Sequence, residues 1–179
     1  MLRRTELLEA LQSINHESYS GIVFRATRIG LQPSTPSTSG GRWMPPDHCP
    51  TLYTCLSRDG ALAEISFRQS LLDPIPSKPV FLHQLRVDLK RIVRITKDDL
   101  ERLGVLMVDF DSLNYAKTQE IGEAAWFLDY DGVVVPSARW PCENLIIFAD
   151  SPGVTTSSID SEQIDWKKWA NANGRLPRN

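Results

Sequence analysis

No stretch of this 179-residue chain approaches the roughly 20 apolar residues needed to cross a bilayer. The N-terminus, MLRRTELLEALQ, carries Arg3 and Arg4 with no apolar block behind them, so a secretory signal is not expected. Both absences point to a soluble, cytoplasmic protein without a membrane partner. A basic excess is also missing. Lys and Arg number 20 against 22 Asp and Glu, for a net charge of -2. That argues against direct nucleic-acid binding, although it leaves room for a local basic site. Cysteine is scarce. Cys49, Cys55 and Cys142 are odd in number, irregularly spaced and without a CxxC pair. With no His-x-x-x-His pair either, neither a zinc site nor a disulfide framework is expected. The thiols should be reduced. No GxSxG motif is present, and His16, His48 and His83 are the only histidines, so a serine-hydrolase triad has little to draw on.

Hydrophobic residues make up 41% of the chain, slightly low for a globular protein but far from disorder. A single domain of this length buries roughly 70% of its unfolded surface and needs no staples. Leu7, Leu8, Leu11 and Ile14 recur at helical spacing and predict a helix over 5–15. Residues 21–26 predict a strand. The run QPSTPSTSGG at 32–41 cannot supply a core and predicts a mobile loop, either an ordinary surface loop or a lid. A strand at 51–55 leads to a helix at about 58–72 with Ser57 as N-cap. Alternation from Val80 predicts a strand or hairpin over 80–95. Helices are expected at 97–103 and 115–128, and strands at 131–136 and 144–149. From Ser151 the chain turns polar, with a short helix near Trp166 and Trp169 that either packs on the core or forms an interface. No internal repeat is visible. The mixed order lacks βαβ regularity and favours an α+β fold over a doubly wound sheet.

Several short motifs stand in a definite order. Arg25 ends the first strand in VFRATR. GGRW follows at 40–43, LYT at 52–54, ALAE at 61–64 and VVPSAR at 134–139, with Asn144 opening the next strand. Tyr53 lies eleven residues after Arg42, and Glu64 eleven after Tyr53. This ordered set, from about residue 20 to residue 150, resembles the RES domain, a family of bacterial toxins named for an arginine, a glutamate and a serine. The resemblance implies one domain over 1–179, with residues 151–179 as a C-terminal extension. It implies a fold like that of the ADP-ribosyltransferases, with mixed or antiparallel sheets and flanking helices. It further implies that NAD⁺ is the substrate, with no separate cofactor, and that toxicity follows from NAD⁺ loss. The implied partner is a small helix-turn-helix (Xre-like) antitoxin, and a homodimer stays open. Where the family usually has Asn after GGRW and Gly a few residues on, this chain has Met44 and Asp47. A different loop shape beside Arg42 is therefore expected.

The residue types suit that chemistry. Cleaving the nicotinamide–ribose bond passes through an oxocarbenium-like state, so the enzyme must clamp the pyrophosphate and stabilise positive charge. Arg25 and Arg42 fit the clamp, because guanidinium groups bind phosphate bidentately and stay charged. Structural arginines are the alternative. Glu64 fits the charge stabiliser, with Ala61, Phe67 and Leu71 near its helical face; the alternative is an i,i+4 pair with Arg68. Tyr53 offers a ring or a hydroxyl, or simply packs in the sheet. Trp43 suits a packing anchor. Ser137 fits a hydrogen bond to Glu64 or a ribose better than a nucleophile, with a turn serine as the alternative. Asn144 either contacts the ligand or orients the loop. The candidate catalytic set is thus Arg25, Glu64 and Ser137, and the candidate binding set adds Arg42, Tyr53 and Asn144. His48 and Cys49 adjoin in sequence, which rarely opposes two side chains as a nucleophile pair. The acceptor is phosphate or water, or else a protein that receives ADP-ribose. A third alternative is a module that binds nucleotide or partner without turnover.

Overall fold

The computed structural model describes residues 4–176. Positions 1–3, at the head of the charged N-terminal stretch, and 177–179, at the end of the polar tail, lie outside the described residues. Helix α1 spans Arg4–Ser13 and buries Leu7 and Leu11, one turn apart on one face. Strand β1 spans His16–Arg28, well beyond the six residues expected. Its partner explains the length. β3, Val80–Arg94, is one strand of 15 residues rather than a hairpin. The two pair antiparallel from Arg28↔Val80 to His16↔Val93. Backbone hydrogen bonds hold the polar residues at 16–20 in the strand, although their side chains contribute little apolar burial.

β2 (Thr51–Cys55) and α2 (Arg58–Ser70) stand where the sequence predicts them. Ser57 caps α2, its hydroxyl accepting from the Gly60 backbone N–H at 3.3 Å. α3 (Lys97–Arg102), α4 (Ala116–Phe127), β4 (Gly132–Pro136) and β5 (Glu143–Phe148) also fall within a few residues of expectation. One strand escapes the sequence reading altogether. β6, Thr155–Ile164, pairs antiparallel with β3 from Asp88↔Thr155 to Val80↔Ile164. All but its last residue are exposed, so it carries no apolar alternation to detect. After it, α5 (Trp166–Ala172) buries Trp166 and Ala170 against the sheet and α2. The polar tail therefore packs on the core.

The fold is α+β. The strand order is β1-β2-β5-β4-β3-β6, and only the β3–β4 pair is parallel. β1 also pairs with β3, so five strands close on themselves and β6 extends one edge. Alternation along β4 and β5 divides the core. Val134, Leu145 and Ile147 face one cluster with Val23, Leu85 and Ile92. Val133, Val135, Ile146 and Phe148 face the other, under α1, α3 and α4. Burial on both faces is why these strands read as unbroken apolar runs. No described helix is long and apolar enough to cross a membrane.

Candidate active site

The site forms where α2 lies over β1 and β2 and the start of β5. Glu64 projects from the middle of α2. Asn144 opens β5 opposite Cys55 of β2. Ser137 follows the end of β4. These elements bring the three side chains together: Glu64 Oε1 accepts from Ser137 Oγ at 2.9 Å and from Asn144 Nδ2 at 3.0 Å. Both donors are themselves oriented. The Cys55 thiol donates to Asn144 Oδ1 at 2.9 Å, which turns the amide NH₂ toward Glu64. Ser137 Oγ accepts from the backbone N–H groups of Arg139 at 3.1 Å and Trp140 at 3.3 Å, which leaves its own proton for the carboxylate. Ser137 thus holds one oxygen of Glu64.

In front of Glu64 is a cavity of about 160 Å³, bounded by Phe24, Arg25, Tyr53, Phe67 and Arg139 among others. Arg25, Arg42, Arg68 and Arg139 reach it, and among the described residues Glu64 is the only carboxylate on its wall. Such a wall selects an anion carrying a locally cationic group. The arginines are not equivalent. Arg25 gives one nitrogen to the Pro33 carbonyl at 3.0 Å. Burial, reinforced by the charge of Arg68, pushes its pKa down to about 10. It stays protonated at neutral pH and gains from an anionic partner. Arg42 donates to the carbonyls of Phe110 at 2.5 Å and Ser112 at 3.1 Å, with its guanidinium over the rings of Phe110 and Tyr115. It tethers the 110–115 loop and contributes charge to the cavity from that anchored position. Arg68 lies over the Tyr53 ring, 5.6 Å from its centroid, and forms no ion pair with Glu64. The i,i+4 alternative is thus not what occupies Glu64.

Tyr53 is largely buried, and its hydroxyl has no hydrogen bond of normal geometry among the described residues. Burial pushes its pKa up to about 12. Gly41 makes room for it, since a Cβ there would lie 2.6 Å from the hydroxyl. Trp43, 1% exposed, is a packing anchor. The GGRW turn rests on α4: Thr118 donates to the Arg42 carbonyl at 2.6 Å and Gln119 to that of Gly41 at 2.9 Å. The loop expected to be mobile is tied at its middle. Ser37 and Thr51 exchange backbone hydrogen bonds at 2.8 and 2.9 Å. Asp47 adopts φ 55°, a left-handed conformation that few residues other than glycine take up. Met44 is fully buried beneath it. His48 and Cys49 diverge: the imidazole lies 3.4 Å from Glu123, and the thiol donates to Asp150 at 3.1 Å.

Two arginines of the cavity were not among the sequence candidates. Arg68 entered only as a pairing partner for Glu64, and Arg139 only as the last letter of VVPSAR. The available signal was position: Arg68 is one helical turn from Glu64, and Arg139 two residues from Ser137.

A model of the RES domain matches residues 12–167, most of the chain. The chain belongs to the RES domain family. Among curated relatives, the NAD(+) phosphorylase MbcT of Mycobacterium tuberculosis (strain ATCC 25618 / H37Rv) is 31% identical over 104 residues, 55% of this chain and 56% of the relative. MbcT of Mycobacterium bovis matches equally. The match therefore spans about half the length of the curated relatives. Among solved structures, one chain from the crystal structure of the M. tuberculosis MbcT–MbcA toxin–antitoxin complex superposes with a TM-score of 0.76 at 21% identity, covering 94% of this chain and 97% of that one. That likeness establishes a shared fold. The RES match itself runs to residue 167, past the motifs that end near residue 150.

Proposed function

We propose that this RES domain consumes NAD⁺, breaking the nicotinamide–ribose bond with phosphate or water as acceptor, and that it acts as a cytoplasmic toxin. The observation that carries the reading is Glu64, held by Ser137 and Asn144 as the only carboxylate, among the described residues, of an arginine-walled cavity. NAD⁺ has the matching charge pattern, a pyrophosphate near a cationic nicotinamide ribose. The name of the curated relatives supports the reaction class.

The chemistry follows from the charges. The leaving nicotinamide departs as a neutral molecule, taking the electron pair of the C–N bond, so no acid has to protonate it. One carboxylate therefore suffices where an ordinary glycosidase needs two. Glu64 faces the ribose as C1 and the ring oxygen become positive, and its fixed orientation avoids reorganisation as charge develops. A cavity of about 160 Å³ falls below the roughly 300–1,000 Å³ of typical ligand pockets. It suits the nicotinamide riboside end, with the pyrophosphate toward Arg25 and the exposed Arg68 and the adenosine outside.

Purified protein should release nicotinamide from NAD⁺, and Glu64→Gln should lower kcat by about a thousandfold, the scale of losing one preorganised stabilising group. No release, with or without phosphate, would overturn the reading. Mass spectrometry of the sugar product separates ADP-ribose from its 1″-phosphate, and a labelled protein band would mark transfer to a macromolecule. The toxin–antitoxin complex of the structural neighbour also supports a partner for this chain, which we take to be a small helix-turn-helix antitoxin. Copurification of such a protein, with loss of NAD⁺ turnover in the complex, is the expected result.

A further inference from the structure

Arg139 stands apart from the other cationic groups of the cavity. Its Nη2 is buried and has no hydrogen-bond partner among the described residues. The guanidinium stacks on Phe67, 3.4 Å from the ring centroid, which fixes its plane and shields one face from water. Arg25 is partly spent on Pro33 and Arg42 on the 110–115 loop. A dry, oriented and unpaired guanidinium nitrogen on a cavity wall is built to receive an oxyanion.

Its place in the fold says which oxyanion. Arg25 is on β1, and Arg139 is on the turn joining β4 to β5. In the order β1-β2-β5-β4, β1 and β5 are separated by two strand spacings, roughly 10 Å. The cavity thus receives cationic groups from β1 and from the β4–β5 turn, with Glu64 on α2. Arg25 lies close enough to Arg68 for the charge of Arg68 to reinforce the lowering of its pKa, until an anion arrives. The Arg139 guanidinium lies over Phe67, one helical turn from Glu64 on α2, and the Arg139 backbone N–H bonds the Ser137 hydroxyl that holds Glu64. An anion on Arg139 therefore lies beside the carboxylate that faces the reacting carbon. A pyrophosphate on Arg25 and Arg68 lies away from it.

We propose that Arg139 binds the attacking inorganic phosphate and is the acceptor-specificity residue of the site. This inference rests on the NAD⁺-cleaving reading above and assigns the acceptor that it leaves open. One phosphate oxygen forms the bond to C1 of the nicotinamide ribose as the C–N bond breaks. The bonding pair of that C–N bond leaves with neutral nicotinamide. The products are nicotinamide and ADP-ribose 1″-phosphate, and the phosphate proton passes to solvent. Arg139 supplies charge and a fixed direction to the nucleophile without a change in its own protonation.

The test is steady-state kinetics with inorganic phosphate and NAD⁺ varied independently, on the wild type, Arg139→Gln and Arg139→Lys, with sugar products measured by mass spectrometry. Arg139→Gln should raise KM for phosphate at least tenfold, change KM for NAD⁺ less than threefold, and shift product from the 1″-phosphate toward ADP-ribose. Arg139→Lys keeps the charge without the fork and should fall between. Equal effects on both KM values, or an unchanged phosphate KM in a variant that still turns over, would overturn the assignment. Should Arg139→Gln fail to fold, the Lys variant and phosphate titration of the wild type by calorimetry carry the decision: no phosphate binding to the wild type overturns it. Wild-type protein that releases no nicotinamide at all would instead overturn the parent reading.

Discussion

Glu64 receives both of its hydrogen bonds on one oxygen, from Ser137 and Asn144, and no described protein donor bonds Oε2. That asymmetry points the second oxygen at whatever fills the cavity. Ser137→Ala removes one donor to the charged carboxylate and leaves the N–H groups of Arg139 and Trp140 without their acceptor. A hydrogen bond to a charged group contributes about 1.5–3 kcal/mol, so kcat should fall roughly ten- to a hundredfold, since each 1.36 kcal/mol is tenfold in rate. KM for NAD⁺ should change little, because Ser137 acts through Glu64. A large rise in KM with unchanged kcat would show instead that the serine touches substrate. At this scale the sequence was informative about chemistry: Glu64 and Ser137 were both named, and the bond between them was one of two alternatives. Arg139 was less visible because what marks it is the lack of a partner for Nη2 among the described residues, and that is a property of packing rather than of residue type.

Helix α4 and the GGRW turn form the element on which Arg42 depends. A Cβ at Gly122 would lie 1.7 Å from the Trp43 carbonyl oxygen, so the helix and turn meet backbone to backbone. Gly122→Ala must push them apart. Overpacking of this kind costs about 1–3 kcal/mol, and urea denaturation should show a midpoint lowered accordingly. The hydrogen bonds from Thr118 and Gln119 to the turn would stretch in the same variant, and NAD⁺ affinity should weaken with them. Wild-type stability in Gly122→Ala would mean that the two elements do not pack this closely. Elements with an apolar period were legible from sequence, α2 and its Ser57 cap most clearly. β6 was not, because an exposed edge strand is held by ladder hydrogen bonds that any sequence without proline can make.

Across the whole molecule, the buried acids set a pH limit. Burial pushes Cys49 and Tyr53 up to about 12 and Cys142 up to about 11, and raises Cys55 well above the ordinary thiol value of 9.0. For Cys49 the hydrogen bond to the Asp150 carboxylate adds to burial. In the unfolded chain these groups ionise near their ordinary values. Below about pH 9 they are protonated in both states, and their contribution to folding is fully present. As pH rises from about 9 to 12 only the unfolded chain releases the protons, and stability falls. The loss is on the order of 1 kcal/mol per pH unit for each fully buried thiol. Urea midpoints measured at pH 8 and pH 10 should differ in that direction, and Cys49→Ser should reduce the difference. Equal midpoints would mean that the thiols ionise as freely in the fold as outside it.

The sequence by itself determined the family resemblance, the α+β class, the positions of most elements and Glu64 as a candidate site carboxylate. These depend on residue order, apolar period and capping chemistry, all local along the chain. The tertiary structure alone decided that Ser137 and Asn144 converge on one oxygen of Glu64, and that Arg42 is largely engaged by the 110–115 loop. It also joined Arg68 and Arg139 to the cavity and laid the polar tail along β3. The physical reason is shared. Each of these is a relation between residues far apart in sequence, made when strands pair in register, and no single segment carries a record of it.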